Sequence, residues 1–287
     1  MTDLSLTFER HTRSISGESD WFNSARKSSI DPYLDIFQLL LSWVDNWPLS
    51  KLTLASHSLQ FPLSPDEIAL TIWTMQTYKR YQQRLTGGAV GASTLYVPPH
   101  LAKEMRQSIV MGNGEKARMI LEYLWHGIGQ RSGVVPKRIL VLCQDWNDTT
   151  GWLVLQFMLQ KGEIVIYQPR TTTPQPQSLL PGWWTAISTT WPSLPSPLNP
   201  SHPTRILEFP YDHLPRSDRP FLTVHVWQNL LKRYDYARKL ETVGGQAQKD
   251  RSDCRTEVQR MMRRKEEEVL RYDVANTIFG RDRGLSV

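Results

Sequence analysis

Apolar residues recur at helical spacing through the first half of the chain and in short unbroken runs through its middle. Asp31-Pro32 opens the first periodic stretch, with Leu34, Phe37, Leu41 and Val44 on one face until Pro48 stops it. An acid at the cap and a proline in the first turn, where its missing N–H costs nothing, predict a helix there. Ser64-Pro65-Asp66-Glu67 has the form of a capping box, and Ile68, Ile72, Met75 and Gln82 trace the stripe of a second helix down to Leu85. Gly87-Gly88-Ala89-Val90-Gly91 breaks it. That loop lacks the Gly-Lys-Ser/Thr ending of a phosphate cradle and follows no strand. Helical spacing returns over 101–110 and 115–128.

The period then changes. Three apolar or β-branched runs, 134–143, 152–160 and 163–168, predict strands, the last two joined by a tight turn at Lys161-Gly162. Both parities of Trp152 to Leu159 are apolar, so this strand is expected at the centre of its sheet, covered on both faces. From Pro169 to Pro220 lie 12 of the 19 prolines together with Trp183, Trp184 and Trp191, which predicts a long irregular connection with one short helical turn. A short strand at 205–209 and a helix opened by Pro220 and running to Tyr236 follow. A long charged helix is expected over 246–276, its thin stripe of Cys254, Val258, Met261, Val269 and Tyr272 interrupted by Lys265.

Helices, then a hairpin-centred set of strands, then a helical end is an α+β order. With 287 residues, 40% hydrophobic and 22% charged, the chain is sized for one large domain or one domain plus extensions. No apolar run approaches the roughly 18 residues that cross a bilayer. The first residues show no secretory pattern, and two cysteines, Cys143 and Cys254, are too few for a disulfide framework or a cysteine-based zinc site. An intracellular protein, nuclear or cytoplasmic, is expected. The seven histidines show no metal-ligand spacing, so neither a metal nor another cofactor is expected. Of the net charge of +6, residues 230–287 contribute 14 Lys and Arg against 10 Asp and Glu. This points to nucleic acid as one class of partner, bound through 246–276. A mixed-sign run such as Arg263-Arg-Lys-Glu-Glu-Glu268 is also what the solvated side of a helix looks like.

The central strands carry a resemblance. Lys137-Arg-Ile-Leu-Val-Leu-Cys143, then Gly151-Trp152-Leu-Val-Leu155, then Glu163-Ile-Val-Ile-Tyr167-Gln168 resemble the centre of the ubiquitin-like-protein-specific cysteine proteases, the de-SUMOylating (Ulp-type) family. There a His-Trp opens the middle strand and an acid closes the next. The helix from Leu63 to Leu85 and the segment Ser93-Thr-Leu-Tyr96 stand where the family has its early helix and the piece before the next one. Ile206 to Phe209, the loop 212–217 and Asp218-Arg219-Pro220 repeat the layout of the family's closing motif: a strand, a loop with Gln, then Asp-Cys-Gly at a helix start. The resemblance spans roughly 56–236. It implies a papain-like Ulp/SUMO-protease fold, with a helical N-terminal lobe, a small central mixed sheet and here a long C-terminal helix. The division it implies is a disordered leader at 1–30, a helical extension at 31–55, a protease-like domain at 56–240 and the charged helix at 241–287.

Carried over by position, the family's triad is missing. Gly151 stands at the histidine, Gln168 at the acid, Arg219 at the cysteine, and His213 where the family has its glutamine. Thiol hydrolysis needs a thiolate and an imidazole to deprotonate it. Glycine has no side chain, and arginine is a permanent cation with no lone pair. The resemblance therefore implies a pseudoprotease that binds a ubiquitin-like modifier or another protein as a scaffold, with Trp152, Tyr167 and Asp218 on the modifier groove. A second register restores a nucleophile, because Gln248 and Asp253-Cys254 have the family's Gln-to-Cys spacing. In that case the chain is an active cysteine peptidase using Cys254. Asp145-Trp-Asn-Asp148 offers two carboxylates, although in a turn between strands such residues serve backbone hydrogen bonds.

Overall fold

The computed structural model describes residues 32–85, 94–127, 135–145, 151–170, 179–194, 205–209, 214–232 and 244–281. Two helices, α1 (Pro32–Asn46) and α2 (Leu49–Ser58), lead into α3 (Glu67–Leu85). A short strand β1 (Thr94–Val97) precedes α4 (Pro99–Val110) and α5 (Gly114–Gly127). Then come β2 (Arg138–Gln144), β3 (Trp152–Met158), β4 (Glu163–Pro169), α6 (Leu180–Thr190), β5 (Arg205–Phe209), α7 (Arg219–Lys232) and α8 (Gly244–Arg281). Among the described residues, no helix is long and apolar enough to cross a membrane.

The sheet runs β1-β2-β3-β4-β5 in chain order. Its two outer pairs, β1 with β2 and β4 with β5, are parallel, and the inner pairs are antiparallel. It is thus the mixed sheet of an α+β fold, with β3 at its centre as the two-sided apolar run requires. The turn from β3 to β4 tightens through a 3₁₀ turn at Leu159–Lys161 and closes on Gly162 at φ 65°, a left-handed conformation that glycine adopts without strain. β1 is an addition to the expected strands: four residues are too short to show a period, and it exists because Thr94 to Val97 pair with the Arg138 end of β2.

Paired residues share a sheet face. One face holds Tyr96, whose ring lies 4.5 Å from that of Trp227 in α7 and whose hydroxyl donates to Thr74 Oγ1 of α3 at 2.8 Å. The other face holds Phe157, flanked by Trp183 and Trp184 of α6 at centroid distances of 6.2 and 6.1 Å. α6 is longer than the single turn expected. Leu180, Trp183, Trp184 and Ile187 fall at i, i+3, i+4 and i+7, Pro181 sits in the first turn, and burying that stripe stabilises three turns. Gly182 lets α6 approach α4, since a Cβ there would sit 2.2 Å from Ile109 Cγ2.

α3 begins two residues later than the capping-box reading places it. Asp66 is the cap: its Oδ1 accepts from the Ala69 N–H at 2.8 Å, and Glu67 is the first helical residue. The charged helix α8 also outruns its expected bounds of 246–276. One buried cluster runs from Ile36 to Met261, so it crosses the boundaries expected at residues 55 and 240. α1 buries Ile36, Leu39, Leu40, Trp43 and Val44 in it, and α8 buries Ala247, Cys254, Val258 and Met261. Each of the large aliphatic side chains among them contributes about 1.5–3 kcal/mol when fully buried.

Candidate functional site

The family-like positions gather at the end of the sheet where β2 finishes, β3 begins and β4 and β5 end. The Asp145 N–H donates to the Gly151 carbonyl at 2.9 Å, closing the β2–β3 connection, and the Arg170 N–H donates to the Phe209 carbonyl at 3.0 Å, closing β4 to β5. Thr223 Oγ1 donates to the Trp152 carbonyl at 3.2 Å, pinning the start of α7 to the start of β3. Arg219 lies one turn ahead of Thr223 on the same side of the helix. Gly151, Trp152, Tyr167, Gln168, Asp218 and Arg219 therefore belong to one region. His213, and Trp146 to Asp148 of the acidic turn, lie outside the described residues.

Register decides which of them can face α7. Tyr167 pairs with Val154, so alternation places Trp152 and Tyr167 on the α7 face, and Gly151 and Gln168 on the face of Phe157. The positions expected to match an imidazole and an acid are together at one sheet end but turned away from the helix that begins at Arg219. Neither pair, 151 with 168 nor 152 with 167, supplies an imidazole.

Each of these residues is occupied structurally. Trp152 is 2% exposed and belongs to the core. The Tyr167 hydroxyl donates to Gln156 Oε1 at 2.9 Å, an internal pair of two buried side chains that the alternation of β3 hid in an apolar run. Gln168 is buried, its Nε2 3.4 Å from Glu208 Oε1, while its own Oε1 has no hydrogen-bond partner. Arg219 turns back onto its own loop, where Nε donates to the Leu214 carbonyl at 3.2 Å.

Asp218 is held by a residue of the charged helix that periodicity alone does not single out. Arg251 of α8 donates to Asp218 Oδ1 from Nε at 3.0 Å and from Nη2 at 2.8 Å, and Nη2 also reaches the Ser217 carbonyl. Its Nη1 donates to the carbonyls of Leu59 and Leu63, each at 3.2 Å, and the guanidinium carbon lies 5.2 Å from the centre of the Phe221 ring. Arg251 is 9% exposed and Asp218 7%. One arginine thus joins the α2–α3 turn of the helical lobe to the turn that opens α7. The available signal was positional: Arg251 follows Ala247 by four residues and precedes Cys254 by three, on the buried stripe of α8.

Both cysteines are free and buried. Burial pushes the Cys143 thiol well above its ordinary value, with Arg106 opposing and Asp145 adding to the shift. Cys254 is fully buried in α8, its Sγ 3.5 Å from the Ala69 carbonyl, and burial first, then the carboxylate of Asp66, raises it strongly. A nucleophilic thiol needs the reverse, a stabilised thiolate that substrate can reach. The second-register nucleophile is therefore a core thiol, placed there by the same stripe that buries Val258 and Met261.

The cations of α8 are used in several ways. Arg251 faces inward, Arg255 Nη2 donates to the Leu59 carbonyl at 2.7 Å, and Lys265 Nζ donates to the Asp45 carbonyl at 2.5 Å. Arg260 and Arg271 pair with Glu257 and Glu267 along the helix. Among the described residues, no group of three or more His, Cys, Asp or Glu side chains could hold a metal ion.

No family profile and no curated protein matches the chain. Among solved structures it is similar to the SUMO protease Ulp1 with its catalytic cysteine oxidised to a sulfinic acid, at 8% identity and TM-score 0.44 over 72% of this chain and 83% of that one. The same protease with the cysteine oxidised to a sulfonic acid gives 9% and 0.43 over 79% and 93%. The C-terminal Ulp1 protease domain in complex with SMT3, the yeast orthologue of SUMO, gives 10% and 0.41 over 74% and 82%. The likeness is one of fold alone.

Proposed function

We propose that this chain is a non-hydrolytic relative of the Ulp-type proteases that works as a binding scaffold, its partner class being a ubiquitin-like modifier or a protein conjugated to one. The reading rests on the residues that resemble that family's central strands, and one observation carries its non-hydrolytic half. Both cysteines are sealed in the core with their thiolates disfavoured, and Arg219 stands at the helix start where a nucleophile would be needed. The burial of Trp152 and the Arg251 bridge at the start of α7 favour recognition of a modifier's folded body over capture of its C-terminal tail.

Two measurements on the full chain test this. A SUMO-derived vinyl-sulfone probe should leave it unlabelled; covalent labelling that disappears in Cys254→Ala would establish a thiol peptidase instead. Titration calorimetry with SUMO and with SUMO shortened by its C-terminal tail should give equal affinities. A loss of binding on shortening would show that the tail is captured instead.

A further inference from the structure

We infer that α8 is a self-association element that pairs antiparallel with α8 of a second copy of this chain; this deepens the scaffold reading by naming a partner. The helix changes character along its length. Ala247, Arg251, Cys254, Val258 and Met261 repeat at four- and three-residue spacing against the body. Among the described residues, the last support the body offers is Asp45 of α1, whose carbonyl accepts from Lys265 Nζ and whose carboxylate lies 3.9 Å from Arg264. The backbone continues helical for thirteen more residues, Val269 to Arg281, about 20 Å at 1.5 Å per residue. At the start of that stretch Val269 and Leu270 are 42% and 63% exposed. A free helix segment of this length gains little from propensity alone and needs tertiary or intermolecular contact to persist.

Charge names the occupant. Residues 263–268 read Arg-Arg-Lys-Glu-Glu-Glu, a block of three cations followed by a block of three anions. Laid antiparallel on itself about a two-fold axis beside Lys265, this sequence sets Arg263 and Arg264 of each copy opposite Glu267 and Glu266 of the other. A parallel pairing in register would set like against like. Arg263 and Glu266 are exposed, and among the described residues neither makes an ion pair, so they remain available. The same overlap carries Leu270 over the aliphatic stems of Gln259 and Arg260 in the other copy, removing an exposed apolar side chain from water. Such an interface is isologous and closes at two subunits.

Sedimentation equilibrium of the full chain should give twice the 33.3 kDa chain mass. Exposed charge pairs are screened by salt, so the association should weaken by about tenfold between roughly 0.1 and 0.5 M salt. Arg263→Glu with Arg264→Glu should yield monomers, as should Glu266→Arg with Glu267→Arg, each doublet placing like charges opposite one another. Mixing the two doublets should restore the dimer, because every reversed charge then meets its opposite. A wild-type monomer, two doublets that still dimerise, or a mixture that stays monomeric would each overturn the pairing; circular dichroism confirms that the variants fold. The vinyl-sulfone probe applied to the same samples separates the two readings. An unlabelled monomer removes the pairing alone, and a labelled dimer removes the non-hydrolytic assignment alone.

Discussion

From Ala247 to Met261, α8 sets its heptad-spaced side chains into the body, and the charge on that stripe, Arg251, is bonded to one carboxylate and three carbonyls. From Met262 onward Arg264 and Lys265 still reach Asp45 of α1, and the remaining charges turn outward, where they pair within the helix or meet solvent. Net charge is similar in the two halves; desolvation is not. A guanidinium out of water must be fully matched, and removing its partner leaves an uncompensated buried ion, whereas an exposed ion pair trades one hydrated state for another. The sharpest break in this contrast is Asp218→Ala. It should cost about 3–5 kcal/mol, read as a fall of roughly 10 °C in the unfolding midpoint at a few degrees per kcal/mol for a domain of this size. Replacing both partners, Asp218→Leu with Arg251→Met, should recover much of that loss. If the single substitution costs under about 1 kcal/mol, the pair behaves as a surface bridge does, and the inner half differs from the outer one in packing alone.

Cys254 tests whether that inner half is core or cleft. Cys254→Ala deletes a buried sulfur beside Ala69 and should destabilise by about 1–2 kcal/mol through the void it leaves. In the native protein, an aromatic disulfide reagent should modify this thiol no faster than the chain unfolds. Rapid stoichiometric modification under folding conditions would show that α8 opens and would reinstate a reachable thiol there.

The periodicity showed most of this fold because helices and strands answer to a local hydrophobic pattern. The hairpin at Lys161-Gly162, the central place of β3 and the helices after Pro99 and Gly114 were all legible from three or four residues at a time. β1 was not: its four residues have no period of their own and are fixed by β2, forty-four positions away. The scale of α6 was hidden by the prolines around it, although its four stripe residues were in plain sequence. At the candidate site, Gly151, Gln168 and Arg219 could be placed at one end of the sheet by element order. Their facing could not, because it depends on the parity of the β3–β4 register. Arg251 was the larger omission. A charged residue on a helix is read as solvated unless its partners are known, and Asp218 and the carbonyls of Leu59 and Leu63 lie 33, 192 and 188 residues away.

A pH titration sharpens the same comparison through two acids. Asp66, the cap of α3, and Asp250, in the inner half of α8, are both pushed up to about 6, chiefly by burial. Their carboxyl groups ionise near 3.8 in the unfolded chain, so the unfolded state holds fewer protons between the two values. Stability should therefore rise as pH falls from about 7 to 5, by about 1 kcal/mol for each acid. His225 opposes this: burial, then Lys232, lowers its pKa below 6.5, so acidification stabilises the unfolded state through it. Denaturant unfolding at several pH values should show the gain shrink in Asp250→Asn and, less cleanly because its cap bond changes, in Asp66→Asn. A gain unaltered by Asp250→Asn would place the linked proton elsewhere.

The smallest effect belongs to the outer half. Arg271 and Glu267 sit one turn apart with 83% and 68% of their side chains exposed and a closest approach of 4.0 Å. Water already solvates both ions, so Arg271→Ala exchanges a weak Coulomb attraction for the better helix propensity of alanine and should move stability by no more than about 0.5 kcal/mol in either direction. The measurement belongs at a protein concentration low enough to dissociate any α8 pair, followed by a repeat at high concentration. In dilute protein a loss comparable to Asp218→Ala would mean that the outer half is buried against the body and would erase the distinction between the two halves. A loss confined to concentrated protein would show that this exposed stretch acquires its packing only from a second copy.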